Sequence, residues 1–189
     1  MKRIVPLLLV LSVLMSGIAA FSESAAEPTP VPGMTVTSTA IVDGALGLPY
    51  GAKGTQFVKR NIPSLSFPLT ISNIPEGTSA LAITIIDPDG GDWVHWLVAN
   101  IPVEGTLCEI PENASMDWPE DILQGKNDFG TIGYGGPTPP SGVHNYVITV
   151  YALSETLNLK AGFKLSQIEK LLADKVLAEA TVTGTYAKR

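Results

Sequence analysis

The sequence predicts an antiparallel β protein with one peripheral helix. Three observations predict it. Glycine (18) and proline (15) are abundant, which favours many turns and short strands over a helix bundle. Several runs are rich in β-branched and aromatic residues, with turn signals between them. The only long stretch of helical period comes late and is followed by one more strand, which does not fit a βαβ repeat.

The elements follow in chain order. "TVTSTAIVDG" (35–44) reads as a first strand and turn, and "GLPYGAKGTQF" as a turn-rich connection. "SLSFPL" (64–69) reads as a short edge or bulged strand interrupted by Pro68. "SALAITIIDPD" (79–89) shows little alternation, as expected of a strand covered on both faces, and ends where Pro88 cannot donate to a ladder. "PDGGD" supplies hairpin chemistry before "WVHWLVANIP" (93–102), and "YVITVYAL" (146–153) is a third central strand. "SQIEKLLADKVLAEA" (166–180) predicts the helix. Ser166 and Glu169 have capping-box spacing, and Leu165, Ile168, Leu172 and Val176 form one stripe. "ATVTGTY" alternates, with Thr181, Thr183 and Thr185 on one face and Val182 and Tyr186 on the other.

Residues 1–19 read as a signal peptide: a basic start, an apolar core too short for a spanning helix, then small residues. Gly17 and Ala19 fit the −3 and −1 positions, and Ser24 and Ala26 offer a second cut. Export is expected, to the periplasm or the medium, with no membrane span in the mature form. Residues 20–34, rich in Ser, Ala and Pro, read as a flexible linker, and 35–189 as one domain. Removing Lys2 and Arg3 with the signal peptide leaves 10 basic against 18 acidic residues, a net charge of −8. Such a surface repels polyanions, so nucleic acid is not an expected partner. Cys108 is the only cysteine, so an internal disulfide and CxxC redox chemistry are excluded, and a half-buried passive thiol is expected.

The chain has two histidines, and both fall on predicted strands. Residues two apart share a strand face, so Trp93, His95 and Leu97 should point one way, and His144 and Tyr146 should point together. Asp87 ends the preceding central strand. If the three strands are neighbours, Asp87, His95, His144 and Tyr146 converge at one end of a sheet. The Gly/Pro loop before His144 would let backbone N–H groups approach a guest and form an anion nest. Imidazole N–H and phenol O–H groups add donors, and Asp87 can orient a histidine. The expected guest is a small phosphate, phosphate ester or carboxylate, bound more strongly as falling pH creates an imidazolium. Each part also has a plainer reading: packing histidines, an Asp-Pro turn, an ordinary loop and core tryptophans. The histidines are 49 positions apart with no HExxH or HxH, so no metal is assigned. No G-x-S-x-G elbow, Walker loop or dinucleotide fingerprint occurs, so no catalytic residue and no cofactor is assigned.

"DPDGGDWVHWLVANIP", "QGKNDFGTIGYGGPTPPSGVHNYVITVYAL" and "VLAEATVTGTY" together resemble the phosphatidylethanolamine-binding protein family, in its bacterial Raf-kinase-inhibitor-like branch. The resemblance runs from about residue 47 to 186. It implies a large antiparallel sheet packed with a smaller sheet, a helix toward the C-terminus and an anion pocket at one end. Carried over by motif, the ligand-binding residues are Asp87, Asp89, His95, the turn containing Gly135 and Pro137, His144 and Tyr146. The implied function is non-enzymatic binding of phosphate, phosphoethanolamine or phospholipid head groups, or carboxylates. The alternative is an extracytoplasmic interaction or inhibitor protein with an unidentified protein partner, and a His/Asp hydrolase ranks third. The chain departs from the family pattern in two places: DPDAP reads DPDGG here, and Asn145 replaces the usual Arg.

Overall fold

The structure is a computed structural model that describes residues 33–188. The signal-peptide reading of 1–19 and most of the linker at 20–34 lie outside the described residues. The elements in order are β1 (Thr35–Thr37), β2 (Ile41–Val42), β3 (Ala45–Leu46), β4 (Phe57–Val58), β5 (Ile62–Pro63), β6 (Leu69–Ser72), β7 (Ala80–Asp87), β8 (Trp93–Pro102), β9 (Leu107–Ile110), the single-turn helix α1 (Ala114–Asp117), β10 (Leu123–Gln124), β11 (Val143–Leu153), α2 (Leu165–Leu172) and β12 (Val176–Ala187).

A seven-stranded sheet has the order β10-β8-β7-β11-β12-β3-β2, and a three-stranded sheet has the order β1-β6-β9. The large sheet is antiparallel except at one edge, where Thr185 of β12 pairs with Ala45 of β3 in parallel. The sheet is therefore mixed, a small correction to the all-antiparallel expectation. A β4–β5 pair stands apart from both sheets.

β7 explains the layering. Its residues from Ala80 to Ile85 are all buried, as its unbroken apolar run requires. Leu81, Ile83 and Ile85 pack with Val36, Leu69, Ile71 and Ile110 of the small sheet. Ala82 faces the other way and packs with Leu97, Phe163, Ile168 and Leu172, beneath α2. One face of the sheet is thus sealed by a second sheet and the other by a helix. Each fully buried Leu or Ile contributes roughly 1.5–3 kcal/mol. Cys108 lies half-buried on β9 and packs against the first core, and burial pushes its thiol pKa up.

Three local expectations are corrected. The strand expected at 64–69 begins only after Pro68, at Leu69, and pairs on both sides within the small sheet. The helix expected over 166–180 ends at Leu172, and Val176 opens β12. β12 pairs with β11 along nearly its whole length, and this ladder outweighs the helical preference of "KVLAEA". Nor do Ser166 and Glu169 cap the helix: the Gln167 side-chain carbonyl accepts from the Lys164 N–H at 2.9 Å. Ile168 and Leu172 of the predicted stripe are buried, whereas Val176 belongs to the strand.

Candidate ligand-binding site

β8, β7 and β11 are neighbours, so the three strands carrying Asp87, His95, His144 and Tyr146 do lie side by side. Val147 pairs with Ile86, and one further step of that register sets Asp87 opposite Tyr146 and diagonal to His144. Asp87 is 4 % exposed and its carboxylate is fully engaged. One oxygen accepts from the Gly90 N–H at 2.8 Å, closing the turn after β7. The other accepts from His144 Nδ1–H at 2.8 Å.

His95 reaches the same place through an irregularity. Ile85 pairs with Trp96, but Ile86 pairs with Val94, so His95 is the extra residue of a β-bulge. The bulge reverses the alternation of β8. Val94 and Leu97 face α2, while Trp96 and Val98 face the small sheet. The expected common face of Trp93, His95 and Leu97 therefore fails at Leu97, whereas Trp93 and His95 remain together at the site.

Asp87, His95, His144 and Tyr146 line a cavity of about 420 Å³, a size typical of small-molecule sites. Trp93, Phe129, Pro139 and Pro140 supply its apolar lining, with Gly90 and Thr138 completing it. An aromatic chain joins the parts: Phe129 meets Trp93 edge-on at 5.4 Å and His95 at 5.6 Å, and His95 meets Tyr146 at 5.0 Å. Trp93 is 38 % exposed, not a core residue, whereas Trp96 is fully buried.

The Gly/Pro loop has a different task from the one expected. The Gly135 N–H donates to the His95 carbonyl at 2.9 Å, and the Gly136 N–H donates to Pro63 O at 2.8 Å. Those amides are spent on the scaffold and form no anion nest. The loop instead presents the Gly135 carbonyl, which accepts from His95 Nδ1–H at 2.5 Å. Pro137 accepts from the Ala52 N–H at 2.8 Å. Neither Gly135 nor Pro137 lines the cavity. Glycine at 135 leaves room for the Phe129 ring, which a Cβ there would approach to 2.5 Å and displace.

Asp89 also stands outside the cavity lining. One of its oxygens accepts from the Asn145 backbone N–H at 2.7 Å and from the Asn145 side-chain amide at 2.9 Å. These two bonds, the backbone one first, hold its pKa below the ordinary value. Asn145 thus fixes the turn after β7 to the start of β11.

Phe129 and Asp128 escaped the sequence reading. They lie in a loop with no period to betray it. Asp128 is tied to β8 on both sides of one residue: its carboxylate accepts from the Val94 N–H at 2.8 Å, and its own N–H donates to Val94 O at 3.0 Å. Buried Asn127 braces the return of the loop by donating to Gly133 O at 2.9 Å. Among the described residues, no group of three or more His, Cys, Asp or Glu side chains is placed to hold a metal ion.

The electrostatics follow from burial. His95 is 2 % exposed, and desolvation pushes its pKa down to about 4 against the opposing pull of the Gly135 carbonyl and of Asp87. It is neutral at ordinary pH, which corrects the expectation that it becomes an imidazolium for an anion. Burial first, and the nearby Asp87 carboxylate second, raise the pKa of Tyr146. Its hydroxyl is a firm donor drawn toward Asp87, but among the described residues it makes no hydrogen bond of good geometry.

A mainly β fold of two packed sheets, with a cavity at the end of three central strands, defines the class of domain. The phosphatidylethanolamine-binding protein family model matches residues 37–187, and the chain belongs to that family, in its bacterial branch. A UPF0098 protein of Pyrococcus horikoshii is 41 % identical over 127 residues, covering 65 % of this chain and 64 % of that one. The chain thus spans just under two thirds of that relative's length. The Bacillus subtilis protein YxkA is 36 % identical over 143 residues, covering 67 % of this chain and 84 % of that one. The crystal structure of Escherichia coli YbcL, described as a new member of the mammalian PEBP family, superposes with a TM-score of 0.71 at 31 % identity, covering 84 % of this chain and all of that one. These likenesses match the large sheet, small sheet and late helix that the motifs implied. Among the described residues, no helix is long and apolar enough to cross a membrane.

Proposed function

We propose that this protein binds, without catalysis, a small ligand bearing an oxyanionic group: a phosphate, a phosphoethanolamine or phospholipid head group, or a carboxylate. One observation carries the reading. Among the described residues, the buried Tyr146 hydroxyl makes no hydrogen bond of good geometry, its nearby acceptor Asp87 being already held by Gly90 and His144, and it sits at a cavity where two imidazoles converge. A donor left so costs roughly 1–3 kcal/mol, which an accepting ligand oxygen recovers. Few ligand atoms are engaged, so the affinity for an isolated head group is on the order of mM to μM. Calorimetry with inorganic phosphate and with acetate tests this. Binding should weaken in Tyr146→Phe and in His144→Ala, and unchanged binding in both variants removes the proposal.

The Asp87–His144 hydrogen bond favours a second reading, a hydrolase with His144 as general base. Tyr146 ranks it below binding, because a phenol with a raised pKa is a donor and a poor nucleophile. Turnover of a chromogenic phosphate or carboxylate ester that vanishes in His144→Ala would reverse the order. Export of the chain belongs to the same proposal and rests on the basic start and apolar run within residues 1–19. N-terminal sequencing of the protein from an extracytoplasmic fraction should begin at Ala20.

A further inference from the structure

His95 offers the cavity an acceptor. The Gly135 carbonyl can only accept, so His95 Nδ1 must carry the ring proton. A neutral imidazole protonated there has a lone pair on Nε2, its one remaining polar atom. The groups around it come from every neighbouring element: Asp87 from β7, His144 and Tyr146 from β11, Asp128 and Phe129 from the adjoining loop, and Trp93 from its own strand. The fixed charges among them are both carboxylates, and among the described residues no Lys or Arg lines the cavity. A dianion brought here would meet a lone pair and the negative charge of Asp87. A ligand that keeps one acidic hydroxyl would instead donate to Nε2 while its charged oxygens accept from Tyr146.

Building on the binding role proposed above, we infer that the cavity selects the monoprotonated form of a phosphate monoester, with His95 Nε2 as the acceptor for its P–OH. His95 stays neutral down to about pH 4, so this acceptor persists through the range in which the ester itself titrates.

Methyl phosphate and methyl sulfate provide the test. At pH 5 both are monoanions of nearly the same shape, and only the phosphate carries a proton, since its second pKa is about 6. Calorimetry on the protein should show methyl phosphate binding at least tenfold more tightly at pH 5. The ratio of the two affinities should then fall by about tenfold per pH unit above pH 6. Any change in the protein that affects the two ligands alike cancels in the ratio, so the ratio isolates the ligand's own proton. Equal affinities, or a ratio constant from pH 5 to 8, overturn the selection and leave oxyanion binding standing. Failure of both ligands to bind removes the binding role and the selection together. In His95→Gln, whose amide can still meet Gly135, the ratio should collapse toward one. A ratio retained in that folded variant overturns the assignment to His95, and if the variant does not fold, the wild-type ratio still decides the selection.

Discussion

His144 Nδ1 and Asp87 Oδ2 lie 2.8 Å apart, although 57 positions separate the residues in the chain. The antiparallel register of β7 and β11 brings them together, and the turn after β7 holds the carboxylate still by donating the Gly90 N–H to its other oxygen. The pair fixes the imidazole before any ligand arrives, so little orientation is left to be lost on binding.

Asp87→Ala removes the acceptor for both donors. Stability should fall by about 1–3 kcal/mol, and phosphate binding should weaken with it as His144 loses its orientation. Urea unfolding beside calorimetry measures both. An unchanged midpoint would show that the pair contributes nothing to the fold.

His95 makes stability depend on pH in a defined window. Its folded pKa, about 4, lies below the ordinary 6.5. Above pH 6.5 the ring is neutral in both states, and its share of stability is fully present. As pH falls from 6.5 to 4 the unfolded chain gains a proton that the folded chain refuses, and up to about 3 kcal/mol is lost. Urea unfolding at pH 7 and pH 4 should show a smaller difference in His95→Gln than in the wild type. An equal difference in the two proteins would exclude His95 as its source.

Two adjacent glycines should differ in their tolerance of a methyl group. A Cβ at Gly135 would press on the Phe129 ring, which can turn aside, at the cost of its contact with His95. A Cβ at Gly136 would come within 2.2 Å of the backbone oxygen of Tyr50, which cannot. Gly135→Ala should cost about 1–3 kcal/mol and weaken ligand binding, and Gly136→Ala should cost more. Thermal melts of the two variants rank them, and the reverse order would contradict the packing described.

Trp93 should report ligand binding. It lines the cavity and is partly exposed, whereas Trp96 is buried and stacked on Trp118. Adding phosphate should change the tryptophan emission of the wild type, and Trp93→Phe should abolish the change. A change that survives in Trp93→Phe would place the ligand elsewhere.

Much of this architecture can be read along the chain. β7 and β8 lie where their apolar runs and the "PDGGD" turn put them, because burial on both faces and turn chemistry are properties of adjacent residues. The alternation of β12 is equally local: Tyr186 is buried and Thr181 and Thr183 are exposed. The family motifs also indicated which side chains belong together, and four of them, Asp87, His95, His144 and Tyr146, line one cavity.

Where α2 stops, what the Gly/Pro loop donates and how His95 is protonated were decided elsewhere. The helix gives way at Val176 because β11 offers a ladder that no local preference records. The bulge at His95 turns Leu97 away, a register slip visible only against the partner strand β7. The amide of Gly135 answers a carbonyl on β8, and its own carbonyl captures the imidazole proton. By itself, then, the sequence determined the central strands β7 and β8, the turn between them and the roster of polar groups, because neighbours along a chain set those. Tertiary structure alone decided which of those groups donate, which accept and which lose their charge, because hydrogen bonding and desolvation depend on partners dozens of residues away.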